Sequence, residues 1–99
     1  MARLTADFSS AFRRDIKKKA KKRGWNLDDL ASLIDLVIDN TPESIELLKK
    51  RHNMHTLSGK WAGRSECHVA NAGDWLVIWS ANSELAFFER TGSHDELFR

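Results

Sequence analysis

Cysteine occurs once, at Cys67, so the chain can form no internal disulfide and its fold must rest on packing alone. No apolar run is long enough for a membrane span or a secretory leader, which makes the cytoplasm the expected compartment and a membrane an unexpected partner. The spacings typical of zinc sites are missing too. There is no His-x-x-x-His and no Cys-x-x-Cys, and in a strand Cys67 would point away from His68, so no metal and no other cofactor is expected. Internal repeats and low-complexity tracts are likewise absent.

What is present suits one small globular unit. With 99 residues, 41% hydrophobic and 30% charged, the composition supports one core, and a single domain over residues 1–99 is expected. A domain this small gains stability from whatever binds its folded state. The net charge of +2 hides an asymmetry: residues 1–25 carry nine Lys/Arg against two Asp/Glu, and the rest carry seven against twelve. A cationic block at one end is either a solvated face or a surface for a polyanion.

From Asp7 to Arg23, Phe8, Phe12, Ile16 and Ala20 recur every four positions, predicting an amphipathic helix stopped by Gly24. Arg13, Arg14, Lys17, Lys18, Lys19, Lys21, Lys22 and Arg23 surround that narrow apolar stripe. Asn26 is a suitable N-cap for a second helix ending near residues 39–41. Its apolar face would use Leu27, Leu30, Leu33, Ile34, Val37 and Ile38, and Pro42 starts a segment whose Ile45, Leu47 and Leu48 predict a short third helical piece before Lys49, Lys50 and Arg51. Beyond His52 the texture changes to short Val/Ile/Trp/Phe runs, predicting antiparallel strands near 64–70, 75–80 and 84–91. Asn71-Ala72-Gly73 and Ala81-Asn82-Ser83 would connect them, and residues 2–5 could add an edge strand. The expected fold class is α+β, with N-terminal helices on one face of a mostly antiparallel sheet.

His55, His68 and His94 fall at or near strand ends, where a twisted sheet can bring them together. Period-two alternation puts Arg64, Glu66 and His68 on one face of their strand and Ser65, Cys67 and Val69 on the other. Because Cys67 and Val69 suit a core, His68 should look outward beside a cation and a carboxylate. Asp74 follows a turn and precedes Trp75, whose ring either stacks on a base at the rim or packs in the core while Asp74 stabilises the turn.

The stretch His55-Thr56-Leu57-Ser58-Gly59-Lys60-Trp61-Ala62-Gly63, then Glu66-Cys67-His68-Val69, Asp74-Trp75-Leu76-Val77-Ile78, and Arg90-Thr91-Gly92-Ser93-His94 with Leu97-Phe98, resembles the YafQ branch of RelE-like toxins. The resemblance implies a RelE-like fold and a ribosome-dependent endoribonuclease that cuts mRNA and halts translation. It also implies a cognate antitoxin, ribosomal RNA and mRNA as partners. His55, His68, Asp74 and His94 match the family's catalytic positions, and Arg90 and Phe98 match positions lining its mRNA site. Two features depart from the pattern. The His68–Asp74 loop is two residues longer, and Ser65 stands where the family commonly has arginine, with Arg64 one position earlier.

Metal-free cleavage of RNA needs a base for the 2′-OH, positive charge for the phosphorane and an acid for the departing 5′ oxygen. On the implied roles Asp74 is the base and His94 the acid, while His55, His68 and Arg90 neutralise the phosphate. Lys60 and Arg64 add charge for the substrate, Trp75 and Phe98 pack against a base or ribose, and the basic first helix meets rRNA. The alternative is a catalytically silent protein of the same fold that only binds a ribosome or an antitoxin.

Overall fold

A computed structural model describes residues 3–69 and 74–98. The elements run β1 (Thr5–Phe8), α1 (Ser10–Arg23), α2 (Leu27–Asp39), α3 (Pro42–His52), β2 (His55–Thr56), a 3-10 turn (Gly59–Trp61), β3 (Ser65–His68), β4 (Leu76–Ala81), β5 (Leu85–Gly92) and α4 (His94–Phe98). The strands form one sheet in the order β1-β5-β4-β3-β2, antiparallel except where β1 lies parallel to β5. This is the expected α+β architecture. Among the described residues no helix is long and apolar enough to cross a membrane.

Local chemistry sets the boundaries. The Ser9 hydroxyl accepts the Phe12 N–H, so α1 starts after Phe8, and the left-handed Gly24 (φ 66°) closes it. Phe8 therefore ends β1 and is not the first apolar residue of the helix. Its ring still meets Phe12 (5.5 Å) and Phe88 (5.4 Å), which is why the four-residue spacing runs through it. The edge strand lies at Thr5–Phe8, later than residues 2–5, because its pairing with Leu85–Phe88 fixes the register. Asn26 caps α2 as expected, but Leu27 stays 49% exposed, outside the buried face of Leu30, Leu33 and Val37. Thr41 and Ser44 cap α3 reciprocally. The connection at 71–73 lies outside the described residues. The other hairpin turns through Asn82, whose side chain accepts the Glu84 and Leu85 N–H groups.

Two faces of the sheet are covered, not one. Val77, Trp79, Ala86 and Phe88 pack with Phe12, Leu33 and Leu48 in the main core, under the first three helices. Leu76 and Ile78, alternating with them along β4, join Leu97 of α4 in a smaller cluster flanked by Leu57, Trp61 and Phe98. The short α4 lies outside the expected elements and is what covers the second face. A bulge at β4–β5 matters here: Ile78 pairs with Arg90 and Trp79 with Phe88, so Glu89 is an extra residue. It places Arg90 on the face of Ile78 while Phe88 stays in the main core.

Charge pairing ties α1 and α4 to β5. Asp15 is buried and accepts from Arg90 Nε (2.8 Å), Arg90 Nη2 (3.1 Å), the Thr91 N–H (3.1 Å) and Lys19 Nζ (3.1 Å). Lys19 also reaches the Thr91 carbonyl (3.3 Å) and Glu96 (3.6 Å), and Arg23 grips Glu96 with two bonds of 2.7 Å. Gly92 lies beneath this pair, and a Cβ there would come within 2.9 Å of Lys19 Nζ and 3.0 Å of Glu96 Oε1. Burial pushes the Asp15 carboxyl up, but the bonds from Arg90, Thr91 and Lys19 outweigh it and hold it below its ordinary value. The bond from Arg23 pulls Glu96 down to about 2.

Asp15→Asn should lower stability by about 2–3 kcal/mol in urea unfolding at pH 7, since it strips the charge from a buried acceptor of four bonds. Carboxyls held low in the folded state stabilise fully above their unfolded pKa, and that contribution is lost as pH falls through the folded one. Wild-type stability should therefore decline from about pH 4 toward pH 2, and the Asp15→Asn variant should decline less steeply. Equal slopes would show that Asp15 contributes nothing to acid lability.

Candidate active site

The second face of the sheet gathers most of the expected residues. His55 pairs with Glu66 across β2–β3, His68 pairs with Leu76 across β3–β4, and Ile78 pairs with both Glu66 and Arg90. Partners in register share a face, so His55, Glu66, His68 and Arg90 all belong to the side covered by Leu97 and Phe98. Asp74 precedes β4 at the same end, and its Oδ1 accepts the His94 backbone N–H at 2.7 Å. Thus two residues twenty positions apart, a carboxylate and a histidine, are joined at an exposed rim.

The histidines are fixed in different ways. His94 packs its ring against Phe98 (centroids 4.8 Å apart) at the start of α4, where Ser93 and Glu96 cap each other's N–H groups. The His55 Nδ1 lies 3.0 Å from the Asn53 carbonyl and its Nε2 lies 3.3 Å from Glu66 Oε1. His52, on the last turn of α3, bonds through Nδ1 to the backbone carbonyl of His68 (2.9 Å) and so anchors the end of β3.

The cations divide into paired and open groups. Arg64 lies on the same face as Glu66 by alternation and bonds through Nε to Glu89 (3.0 Å), with its guanidinium 5.9 Å from the Trp61 ring centroid. Ser65 points the other way and lines a cleft with Leu4, Met54 and Trp79, so the residue standing at the family's arginine position does not face the site. Arg90 is forked onto Asp15, and that bonding raises its pKa further. It borders an open cleft of about 290 Å³ lined by Arg14, Asp15, Lys18 and Lys19. Lys60 is exposed in the 3-10 turn.

Two expectations need correction. Trp75 is not at the rim: it is 1% exposed, stacks on Trp25 at 4.4 Å and 9°, and donates through Nε1 to the Thr91 hydroxyl (2.8 Å). A ring sandwiched in the core has no face left for a base. The available aromatic surface is instead Trp61 with Phe98, set edge to face at 6.4 Å. The second correction concerns Lys19, which is half-buried among Asp15, Glu96 and the Thr91 carbonyl and so belongs to the fold more than to an open cationic surface. Arg23 is also engaged, by Glu96 and over the Trp25 ring. Arg13, Arg14, Lys17, Lys18, Lys21 and Lys22 remain exposed.

Glu66 is the member not anticipated as a site residue. It is 4% exposed, and its Oε2 has no hydrogen-bond partner among the described residues. The alternation that places it beside His68 is the available signal, because an outward-facing glutamate in a strand is ordinary until something covers it. Cys67, by contrast, is buried in the main core, where burial and then the Glu66 charge push its thiol far up, so it has no nucleophilic role.

The chain matches a family model described as the bacterial toxin YafQ of type II toxin-antitoxin systems, over residues 4–99. It is 34% identical over 98 residues to the mRNA interferase toxin YafQ of Escherichia coli K12, covering 99% of each chain. Its fold is similar to the crystal structure of YafQ from E. coli BL21(DE3), with a TM-score of 0.82 at 32% identity, covering 97% of this chain and 99% of that one. It is also similar to the toxin in the E. coli DinJ-YafQ toxin-antitoxin complex, with a TM-score of 0.77 at 31% identity over 98% and 99%.

Trp75→Phe should lower stability by about 1–2 kcal/mol, from the lost Nε1 bond and a small cavity. RNA cleavage per folded molecule should be unchanged. A normal denaturation midpoint together with a raised KM would return Trp75 to the substrate surface.

Proposed function

The chain belongs to the YafQ family of bacterial toxins of type II toxin-antitoxin systems, and from that membership we propose that it is an mRNA interferase, an endoribonuclease that cuts mRNA on the ribosome and stops translation. The observation that supports this is the bond from the His94 backbone N–H to the Asp74 carboxylate, which brings the two residues together on the face that also holds His55 and His68. Its working compartment is then the cytoplasm.

Asp74 is the base for the 2′-OH and His94 the acid for the leaving 5′ oxygen, a division in which neighbouring groups play complementary parts in proton transfer. His55 and His68 meet the scissile phosphate. Arg64 and Lys60 add positive charge at one side, and Arg90 adds it from its seat on Asp15. Phe98 and Trp61 supply the apolar surface against which a base or ribose rests. The ribosome contributes geometry, holding mRNA in the in-line arrangement that free RNA seldom visits. The open cations of α1 meet rRNA phosphates, and a cognate antitoxin restrains the enzyme by covering the site or this helix.

On programmed ribosomes the wild type should cut the mRNA, and Asp74→Asn or His94→Gln should slow cleavage by roughly 10²–10⁴-fold while still binding. Intact mRNA in every reaction would leave the silent binding protein as the answer, and equal cutting of free RNA would remove the ribosome from the mechanism. Replacing Lys17, Lys18, Lys21 and Lys22 by alanine should weaken ribosome binding and flatten its salt dependence by about 0.7–0.9 in log–log slope for each phosphate no longer neutralised. Lys19→Ala should mainly reduce stability. Unaltered salt dependence in the quadruple variant would mean that α1 is merely solvated.

A further inference from the structure

Glu66 is a poor choice for stability. Its carboxylate is buried on the face of Ile78, one oxygen lacks any partner among the described residues, and an apolar side chain of similar size would pack there without a desolvated charge. Among the described residues, the ionisable group within ion-pair distance of its other oxygen is the His55 ring.

The hydrogen-bond chemistry of that ring is restrictive. The Asn53 carbonyl 3.0 Å from Nδ1 can only accept, so Nδ1 must carry a proton. Nε2 then faces Glu66 Oε1 at 3.3 Å, a contact that is attractive when one proton lies between the two atoms. Asn53 is built for its part: it sits in the left-handed conformation (φ 52°) at the end of α3, the turn that leads the chain into β2. The ring itself is 48% exposed, so its open side is available to a ligand.

We propose that Glu66 is a positioning residue that fixes the His55 ring, oriented from one side by the Asn53 carbonyl and from the other by the Glu66 carboxyl, for contact with the phosphate undergoing cleavage. This rests on the reading of this face as the RNA-cleaving site. With both nitrogens engaged by the protein, the ring keeps one orientation, and the base role stays with Asp74. The Oε2 that lacks a partner among the described residues fits the same role, because a buried carboxyl with few other donors is committed to one ring.

The test is Glu66→Gln, which keeps the shape and removes the charge. Cleavage on programmed ribosomes should fall by on the order of tenfold in kcat with a smaller change in KM, and Glu66→Asp should restore part of it. In a His55→Ala background the same substitution should have no further effect, because Glu66 acts through that ring. In ¹⁵N NMR of the free protein, Glu66→Gln should change the chemical shifts of the His55 ring nitrogens and leave those of His68 and His94 in place. Its thermal midpoint should equal or exceed that of wild type.

A full additional loss in the His55→Ala background, or His55 nitrogen signals identical in wild type and Glu66→Gln, would overturn the proposal. If wild type cuts no mRNA, the reading of the site fails, while the NMR comparison still decides whether Glu66 governs His55. Should Glu66→Gln fold poorly, Glu66→Asp and the His55→Ala cycle decide the same question.

Discussion

The segment from Arg90 to His94 is the joint on which the rest of the molecule turns, and its central constraint is the buried carboxylate of Asp15. That carboxylate takes the Thr91 N–H at the point where β5 has run past its β1 partner, and it takes the Arg90 guanidinium at the same time. An unsatisfied edge N–H and an isolated buried charge would each be unfavourable, and together they satisfy one another. The Thr91 hydroxyl passes the constraint inward, accepting from Trp75 and donating to the Leu76 carbonyl. Gly92 leaves room for Lys19 and Glu96, Ser93 caps α4, and the His94 N–H closes onto Asp74.

Nearly every residue of a segment that looks chemical in the sequence therefore has a structural task. α4 has five residues, too few to be stable alone, and it stays in place through the Arg23–Glu96 pair, the Ser93 cap and the burial of Leu97 against Leu76 and Ile78. His94 and Phe98 are carried on it. Their position relative to Asp74 is thus set by contacts that reach back to α1, and the cationic helix serves the site as a buttress as well as offering an open charged surface. The two uses are segregated by residue: Lys19 and Arg23 face carboxylates, and Lys17, Lys18, Lys21 and Lys22 face water.

The candidate site also sets ionisable groups in different surroundings on one face. Asp74 sits at an exposed rim, Glu66 is enclosed, and Arg64 is balanced between Glu89 and the Trp61 ring. The small cluster of Leu57, Trp61, Leu76, Ile78, Leu97 and Phe98 gives these groups an apolar floor, which a sheet with one solvated face would lack.

Much of this was legible in the chain. The three long helices followed from four-residue spacing and good caps, the C-terminal strands from their β-branched and aromatic runs, and the family from the order of its histidine, Asp-Trp and Arg-Thr-Gly-x-His motifs. Alternation alone placed Arg64, Glu66 and His68 together and turned Ser65 and Cys67 away, because side-chain direction in a strand is a local property of the backbone. Local rules do not say what lies over a face. Whether Trp75 stacks on a base or on Trp25, whether Lys19 meets rRNA or Asp15, and whether Glu66 is solvated or enclosed each depend on segments distant in sequence. The bulge at Glu89 adds a single residue that reverses the facing of Arg90 relative to Phe88, and α4 is too short to announce itself by periodicity. Residue types and local direction came from the order of amino acids; burial, pairing and the meeting of His55 with Glu66 and of Asp74 with His94 were decided by the closing of the sheet, since only packing determines which charges lose their water.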